Sequence, residues 1–247
     1  VFWTSGAIRP GLRVGFTDSR EGNLAFHVGD DAARVTANRS RFDRSLAGYA
    51  GGVSGAGLRY MSQVHGADVA VVSASDPVAP GQGPTADAMV TRTASLAVMV
   101  ADCVPVVLVG SDAHGSPVLG VAHAGRPGVQ AGVIAATMAR LRAEGAVSVH
   151  AWIGPSVCGR CYEVPAAMRA DVAAVVPEAY ATTSWGTPAL DLPAAVERQL
   201  RDAGASVGHV AGCTLETPAL YSHRRALRDG EPEGRFAGFV AFFDQAL

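Results

Sequence analysis

Three polar motifs interrupt the apolar runs of this chain, and each carries a side chain able to hold a metal ion: Ser62-Gln63-Val64-His65-Gly66, Ala101-Asp102-Cys103-Val104-Pro105 and Ala122-His123-Ala124-Gly125. Two imidazoles and a thiolate are the donor set of a zinc centre that keeps one position open for water or substrate. The three residues lie 38 and 20 positions apart, so only a folded domain can bring them together. Zinc-finger ligands, by contrast, come as closely spaced local pairs. Nitrogen and sulfur donors suit zinc better than magnesium or calcium. Asp102, beside Cys103, is a candidate to orient a ligand imidazole or to take a proton from substrate.

Each motif also has a plainer reading. A cysteine inside the apolar stretch Val98 to Val109 fits a buried filler, and His65 and His123 suit polar turns satisfied by backbone groups. Cys103 with either histidine as base would make a thiol nucleophile instead of a ligand, and the two roles compete for one sulfur. Arg126, next to His123, and His223-Arg224-Arg225 near the C-terminal end are candidates for substrate or phosphate contact, because a guanidinium forks onto phosphate. Cys158-Gly159-Arg160-Cys161 has the spacing of a redox or metal pair, but no second CxxC accompanies it, which weakens structural zinc and leaves two thiols at a loop and helix start. Neither a P-loop nor a GxGxxG fingerprint occurs, which argues against ATP-driven or nicotinamide chemistry, and there is no GxSxG elbow for a serine hydrolase.

Size and composition bound the setting for this chemistry. The 247 residues are 49% hydrophobic and 17% charged, enough for one extensive core, so a single domain over 1–247 is expected. The formal charge is -2 and the basic residues form no extended patch, which offers no general attraction to nucleic acid or to an anionic membrane. No stretch approaches about 18 uninterrupted apolar residues and no signal-peptide core is evident, so a cytoplasmic protein acting on small soluble substrates is expected. Four unevenly placed cysteines, Cys103, Cys158, Cys161 and Cys213, do not make a disulfide framework.

The elements that must position the motifs read as mixed α/β. Strands are expected at Arg13–Thr17, Val69–Val72, Ala88–Thr91, Ala97–Val100, Val106–Val109, Val118–Ala122, Val149–Ile153, Gly208–Ala211 and Phe236–Phe243, with several polar motifs where these runs end. A helix capped by Asp30 should run from about Asp31 to Leu46. The connection Gly48 to Gly57 follows, with five glycines. Pro127-Gly128 introduces a helix from about Val129 to Glu144 with Val133, Ile134, Met138 and Leu141 on its apolar side. Further helices are expected near Pro165 and from a cap at Asp191 to about Ala203.

Taken in order, the motifs resemble a known family. The three metal-competent strings are accompanied by Thr85-Ala86-Asp87-Ala88-Met89-Val90-Thr91, by Gly154-Pro155 leading to Cys161-Tyr162-Glu163-Val164, and by Cys213-Thr214 before Tyr221-Ser222-His223-Arg224-Arg225. Gly15-Phe16-Thr17 and Val28-Gly29-Asp30-Asp31 add to the match, which spans almost the whole chain. The set is similar to the multicopper polyphenol oxidase or laccase-domain family, also described as zinc-dependent purine nucleoside phosphorylases. The resemblance implies metal ligation by His65, Cys103 and His123, a compact α/β fold of mixed sheets flanked by helices, and action as a monomer. It also implies phosphorolysis of adenosine and inosine, with adenosine deamination and methylthioadenosine phosphorolysis. The metal implied is zinc, with copper as the alternative. Phenol oxidation and editing of misbuilt peptidoglycan precursors by a hydrolase or amidase are rival activities, and a non-enzymatic metal-binding protein is the rival of a different class. A multicopper oxidase needs several histidine-rich centres, and seven histidines with one convincing cluster make that the weaker physical case. One departure stands out: the family's HAGWRG is here His123-Ala124-Gly125-Arg126-Pro127-Gly128, so any phosphate contact made by the usual arginine passes to Arg126 or to another residue.

Overall fold

Strands that are apolar on both sides need cover on both sides, and the molecule supplies it by stacking two sheets between helices. The computed structural model describes residues 2–47, 57–77 and 81–243. Apart from Gly57, the glycine-rich connection expected from the sequence lies outside the described residues. The first sheet has the order β1 (Phe2–Arg9), β2 (Leu12–Thr17), β13 (Phe236–Phe242), β6 (Ser95–Val100) and β3 (Leu58–Arg59). The second has the order β12 (Ser206–His209), β9 (Ser148–Ile153), β7 (Val104–Ser111), β8 (Pro117–Ala124), β5 (Ala88–Thr91) and β4 (Val69–Val71). A separate antiparallel pair joins β10 (Tyr180–Thr182) to β11 (Pro188–Leu190). The helices are α1 (Ala32–Ala47), α2 (Arg126–Ala131), α3 (Val133–Ala143), α4 (Ala166–Val175), α5 (Leu192–Asp202) and α6 (His223–Asp229).

The period-2 alternation of strand side chains divides the core into three layers. Leu96, Val98, Val100, Phe236 and Val240 from the first sheet meet Met89, Val107, Leu119 and Val121 from the second. The intervening residues of β6 and β13, Ala97, Met99, Ala237, Phe239 and Ala241, turn outward onto Phe42 and Leu46 of α1. In the second sheet Val106, Leu108, Val118 and Ala122 turn the other way, onto Val133, Ile134, Met138 and Leu141 of α3 and Val196 and Leu200 of α5. Each fully buried Val, Leu, Ile, Met or Phe side chain among these contributes on the order of 1.5–3 kcal/mol, and each alanine less. This is the mixed α/β fold that the strand and helix pattern predicts, with its sheets flanked by helices as the family resemblance implies. Among the described residues no helix is long and apolar enough to cross a membrane.

Local departures from the sequence reading have identifiable causes. The helix expected over Val129–Glu144 is two helices, starting at Arg126 and broken at Gly132, whose φ of 85° is left-handed and whose amide caps α2 by donating to the Gly128 and Val129 carbonyls. The cap of α1 is Asp31, which accepts from the Arg34 amide at 2.8 Å, while Asp30 accepts from the Asp31 amide and Asn23. Asp191 does cap α5, accepting from the Ala194 amide at 3.0 Å. The edge strand β1 went unread because Phe2–Arg9 is half-buried or exposed throughout and shows no alternation. Short α6 went unread because its seven residues, His223 to Asp229, are mostly charged.

Candidate active site

The chain changes sheets between β6 and β7, and the crossing is the tight turn Ala101-Asp102-Cys103. Asp102 adopts a left-handed conformation there, with φ 79°. A non-glycine residue holds this conformation only when its surroundings over-determine it. Here the Thr214 hydroxyl donates to one Asp102 carboxylate oxygen at 2.6 Å and the Arg224 amide to the other at 2.8 Å. The Val157 amide also donates to its carbonyl at 3.0 Å. Cys103 is thereby set at the head of β7. The paired residue across the β7–β8 ladder from Pro105 is His123, so the cysteine and this histidine sit at the same end of neighbouring strands.

His65 arrives from the loop between β3 and β4, also with a left-handed backbone, φ 61°. One carboxylate holds that loop. Asp87, fully buried just before β5, accepts from the Val64, His65 and Gly66 amides at 3.2, 2.9 and 2.6 Å. The same carboxylate meets Nδ1 of His123 at 2.8 Å, which turns the other ring nitrogen of His123 toward the cleft. Burial pushes the Asp87 carboxyl up, but the hydrogen bonds from His123 and the Gly66 amide outweigh it, and its pKa falls below the ordinary value. The carboxylate that orients an imidazole is therefore Asp87, not the sequence candidate Asp102.

The three distant side chains converge. The donor atoms of His65, Cys103 and His123 lie within 4.8 Å of one another, with Sγ of Cys103 3.8 Å from Nε2 of His65. The two imidazole rings stand edge to face with centroids 4.7 Å apart. Donors on one tetrahedral zinc ion are separated by roughly 3.5 Å, so the triad fits such an ion with little movement. Burial raises the Cys103 thiol pKa, but the positive charge and hydrogen bond of His123, with those of His65, bring it down to about 6. His123 is raised to about 9, because the Cys103 sulfur and Asp87 overcome its burial. Thiolate is the form a metal requires. The turn after His123 needs Gly125: a Cβ there would come within 2.7 Å of the His65 ring and 3.2 Å of the Cys103 sulfur.

The triad opens into a cavity of about 480 Å³, within the range of small-molecule sites. Arg126, Arg224 and Arg235 line it, with Tyr162, His27 and His223. The Arg224 guanidinium stacks over the Tyr162 ring at 4.4 Å and donates to the Glu163 carbonyl. Arg126 donates to Gln130 at 3.0 Å. Arg225, a sequence candidate for phosphate contact, does not reach the cavity. It is buried, and its guanidinium donates to the carbonyls of Thr214, Thr217 and Leu220 and to Glu231. Its neighbour Arg224 faces the cavity because α6 turns successive residues to different sides. Asp87, Arg235, His27 and Tyr162 escaped functional assignment from sequence. For Asp87 a signal existed, since an acid embedded between alanines at the start of an apolar strand must find partners when buried.

A two-sheet α/β scaffold carrying an open metal-competent triad at its strand ends defines a class, and comparison with known proteins supplies the family. The family described as multi-copper polyphenol oxidoreductase laccase matches residues 13–242, and the chain belongs to it. The protein described as purine nucleoside phosphorylase SCO2081 of Streptomyces coelicolor is 48% identical over 248 residues, covering 93% of this chain and 95% of that one. Purine nucleoside phosphorylase ORF3 of Streptomyces griseus is 46% identical over 223 residues, covering 88% and 85%. The crystal structure of YlmD from Geobacillus stearothermophilus superimposes with a TM-score of 0.79 at 29% identity, covering 99% of both chains.

Proposed function

We propose that this protein is a zinc-dependent purine nucleoside phosphorylase acting on adenosine and inosine. The observation that carries the reading is the placement of the His65–Cys103–His123 triad and of Arg126, Arg224 and Arg235 on one cavity large enough for a nucleoside with phosphate. The description of its relatives as purine nucleoside phosphorylases supports it. In phosphorolysis a phosphate oxygen bonds to the anomeric carbon and the bond from that carbon to the purine nitrogen breaks. The electron pair leaves with the purine, which takes up a proton, and ribose 1-phosphate remains.

His65, Cys103 and His123 would hold the metal, and a bound zinc ion supplies a positive charge that stabilises negative charge developing on substrate. The arginines gather phosphate and offset its charge as it approaches the sugar. Asp102 keeps the Arg224 backbone in place, and Asp87 keeps both ligand imidazoles aimed. His27 and His223 are the imidazoles outside the triad that can pass a proton to the departing purine. Adenosine deamination and methylthioadenosine phosphorolysis belong to the same proposal as secondary activities of this cavity. Multicopper chemistry has less support, since the metal-competent groups among the described residues include no imidazoles besides His65 and His123. The test is base release from adenosine and inosine by zinc-loaded protein, with and without phosphate. Phosphate-dependent formation of ribose 1-phosphate is expected; base release indifferent to phosphate, or none, refutes the reading.

A further inference from the structure

The CxxC pair does not stand alone in the folded chain. Cys158 and Cys161 sit on a tight turn in which the Cys161 and Tyr162 amides both donate to the Cys158 carbonyl at 2.9 Å. A second turn of the same design starts at Cys213, whose carbonyl accepts from the Glu216 and Thr217 amides at 3.2 and 3.0 Å. The two turns are brought side by side by a parallel bridge between Ser156 and Cys213, with the Thr214 amide donating to the Ser156 carbonyl at 3.1 Å. One donor atom each from Cys158, Cys161, Cys213 and Glu216 lies within 4.8 Å of all the others.

Two facing turns that each offer donors at positions i and i+3 form the framework of closed structural zinc sites. The partner of Cys158-x-x-Cys161 is Cys213-x-x-Glu216, which a search for a second CxxC overlooks because its last member is a carboxylate. We propose that Cys158, Cys161, Cys213 and Glu216 form a second metal centre, a four-ligand zinc site with a structural role, separate from the open triad. Three thiolates select zinc over magnesium or calcium. A Cys158–Cys161 disulfide would use two of the four groups and would leave the approach of Cys213 and Glu216 without a purpose. Four protein ligands leave no open position, which assigns the ion to holding structure and not to turnover.

What it would hold is a wall of the cavity. The first turn leads directly into Tyr162 and Glu163, and the second carries Thr214, the hydroxyl that donates to Asp102. Arg224 stacks over Tyr162 and donates to the Glu163 carbonyl beyond the first turn, while its amide shares the Asp102 carboxylate with Thr214 of the second. No named strand of either large sheet contains these segments, so an ion clamping them would supply order that the ladders do not.

Elemental analysis of the full-length, untagged protein purified without chelator tests this, because it reads metal and not activity. Wild type is expected to hold two zinc ions per chain, Cys103→Ala one, and Cys161→Ser one. Cobalt-loaded Cys103→Ala protein, which lacks the triad sulfur, should keep a strong thiolate-to-cobalt charge-transfer band, and its three remaining thiols should resist a thiol reagent until chelator is added. The thiol measurement needs no substitution in the second cluster, so it stands even where Cys161→Ser fails to fold. Cys103→Ala protein that holds no zinc as purified without chelator and whose three thiols react freely from the start, or recovery of a Cys158–Cys161 disulfide from freshly purified wild type, overturns the proposal.

Discussion

Asp87→Asn removes one proton acceptor and adds a donor at the point where two ligand motifs meet. In the native protein one carboxylate oxygen receives the Val64 and Gly66 amides and the other receives the His65 amide and His123 Nδ1. The asparagine can keep its oxygen toward His65 and His123, but its NH2 group then faces two backbone donors inside a buried site. Each buried donor left without an acceptor costs about 1–3 kcal/mol, so the substitution should destabilise the protein by roughly 2–6 kcal/mol. Loss of a partner that aims a ligand histidine typically lowers metal affinity 10- to 100-fold. Two assays separate these effects: thermal unfolding of the metal-free protein for stability, and zinc competition against a calibrated chelator at neutral pH for affinity. A third follows from the sign of the carboxyl shift. Because the folded pKa is depressed, Asp87 contributes stability above about pH 4, its unfolded value, and loses it as pH falls through the folded value, so the variant should lack that part of the acid transition. Wild-type zinc affinity together with an unchanged Tm in Asp87→Asn would refute the assignment of Asp87 as the organiser of the triad.

Three further outcomes are expected. Arg224→Gln should raise the phosphate KM by roughly 10- to 150-fold, the equivalent of losing about 1.5–3 kcal/mol of charged hydrogen bonding. Arg225→Met should instead lower the Tm, because it strands the Thr214, Thr217 and Leu220 carbonyls, and should leave the phosphate KM little changed. The reverse pattern in steady-state kinetics and melting curves would show that the two arginines have been assigned to the wrong sides of α6. In metal-stripped protein, alkylation of Cys103 followed by peptide mass spectrometry should rise through a midpoint near pH 6, since the adjacent imidazoles hold the thiol down at about 6. A midpoint in the ordinary thiol range, about 8.5, would show that the Cys103–His123 pair is not formed.

Much of this protein is local and therefore readable along the chain. The apolar runs at Val106–Val109 and Val118–Ala122 announce strands covered on at least one face, and Asp191 before Leu192-Pro193 announces a capped helix. The residue types of His65, Cys103 and His123 specify what chemistry they could do together, and their ordered motifs point to a family. Other features depend on what each residue meets across the fold. Whether Arg224 or Arg225 faces the cavity depends on which side of α6 packs inward, and a pair of adjacent arginines carries no mark of that. Asp87 becomes an organiser because a buried carboxylate has to collect donors, here from residues more than twenty positions away. Cys158-Gly159-Arg160-Cys161 looks solitary in one dimension, because the Cys213 and Glu216 side chains that complete its cluster are carried on another turn. Donor type and periodicity belong to the amino-acid sequence, whereas distance between donors, burial and the pairing of charges exist only once the two sheets have stacked.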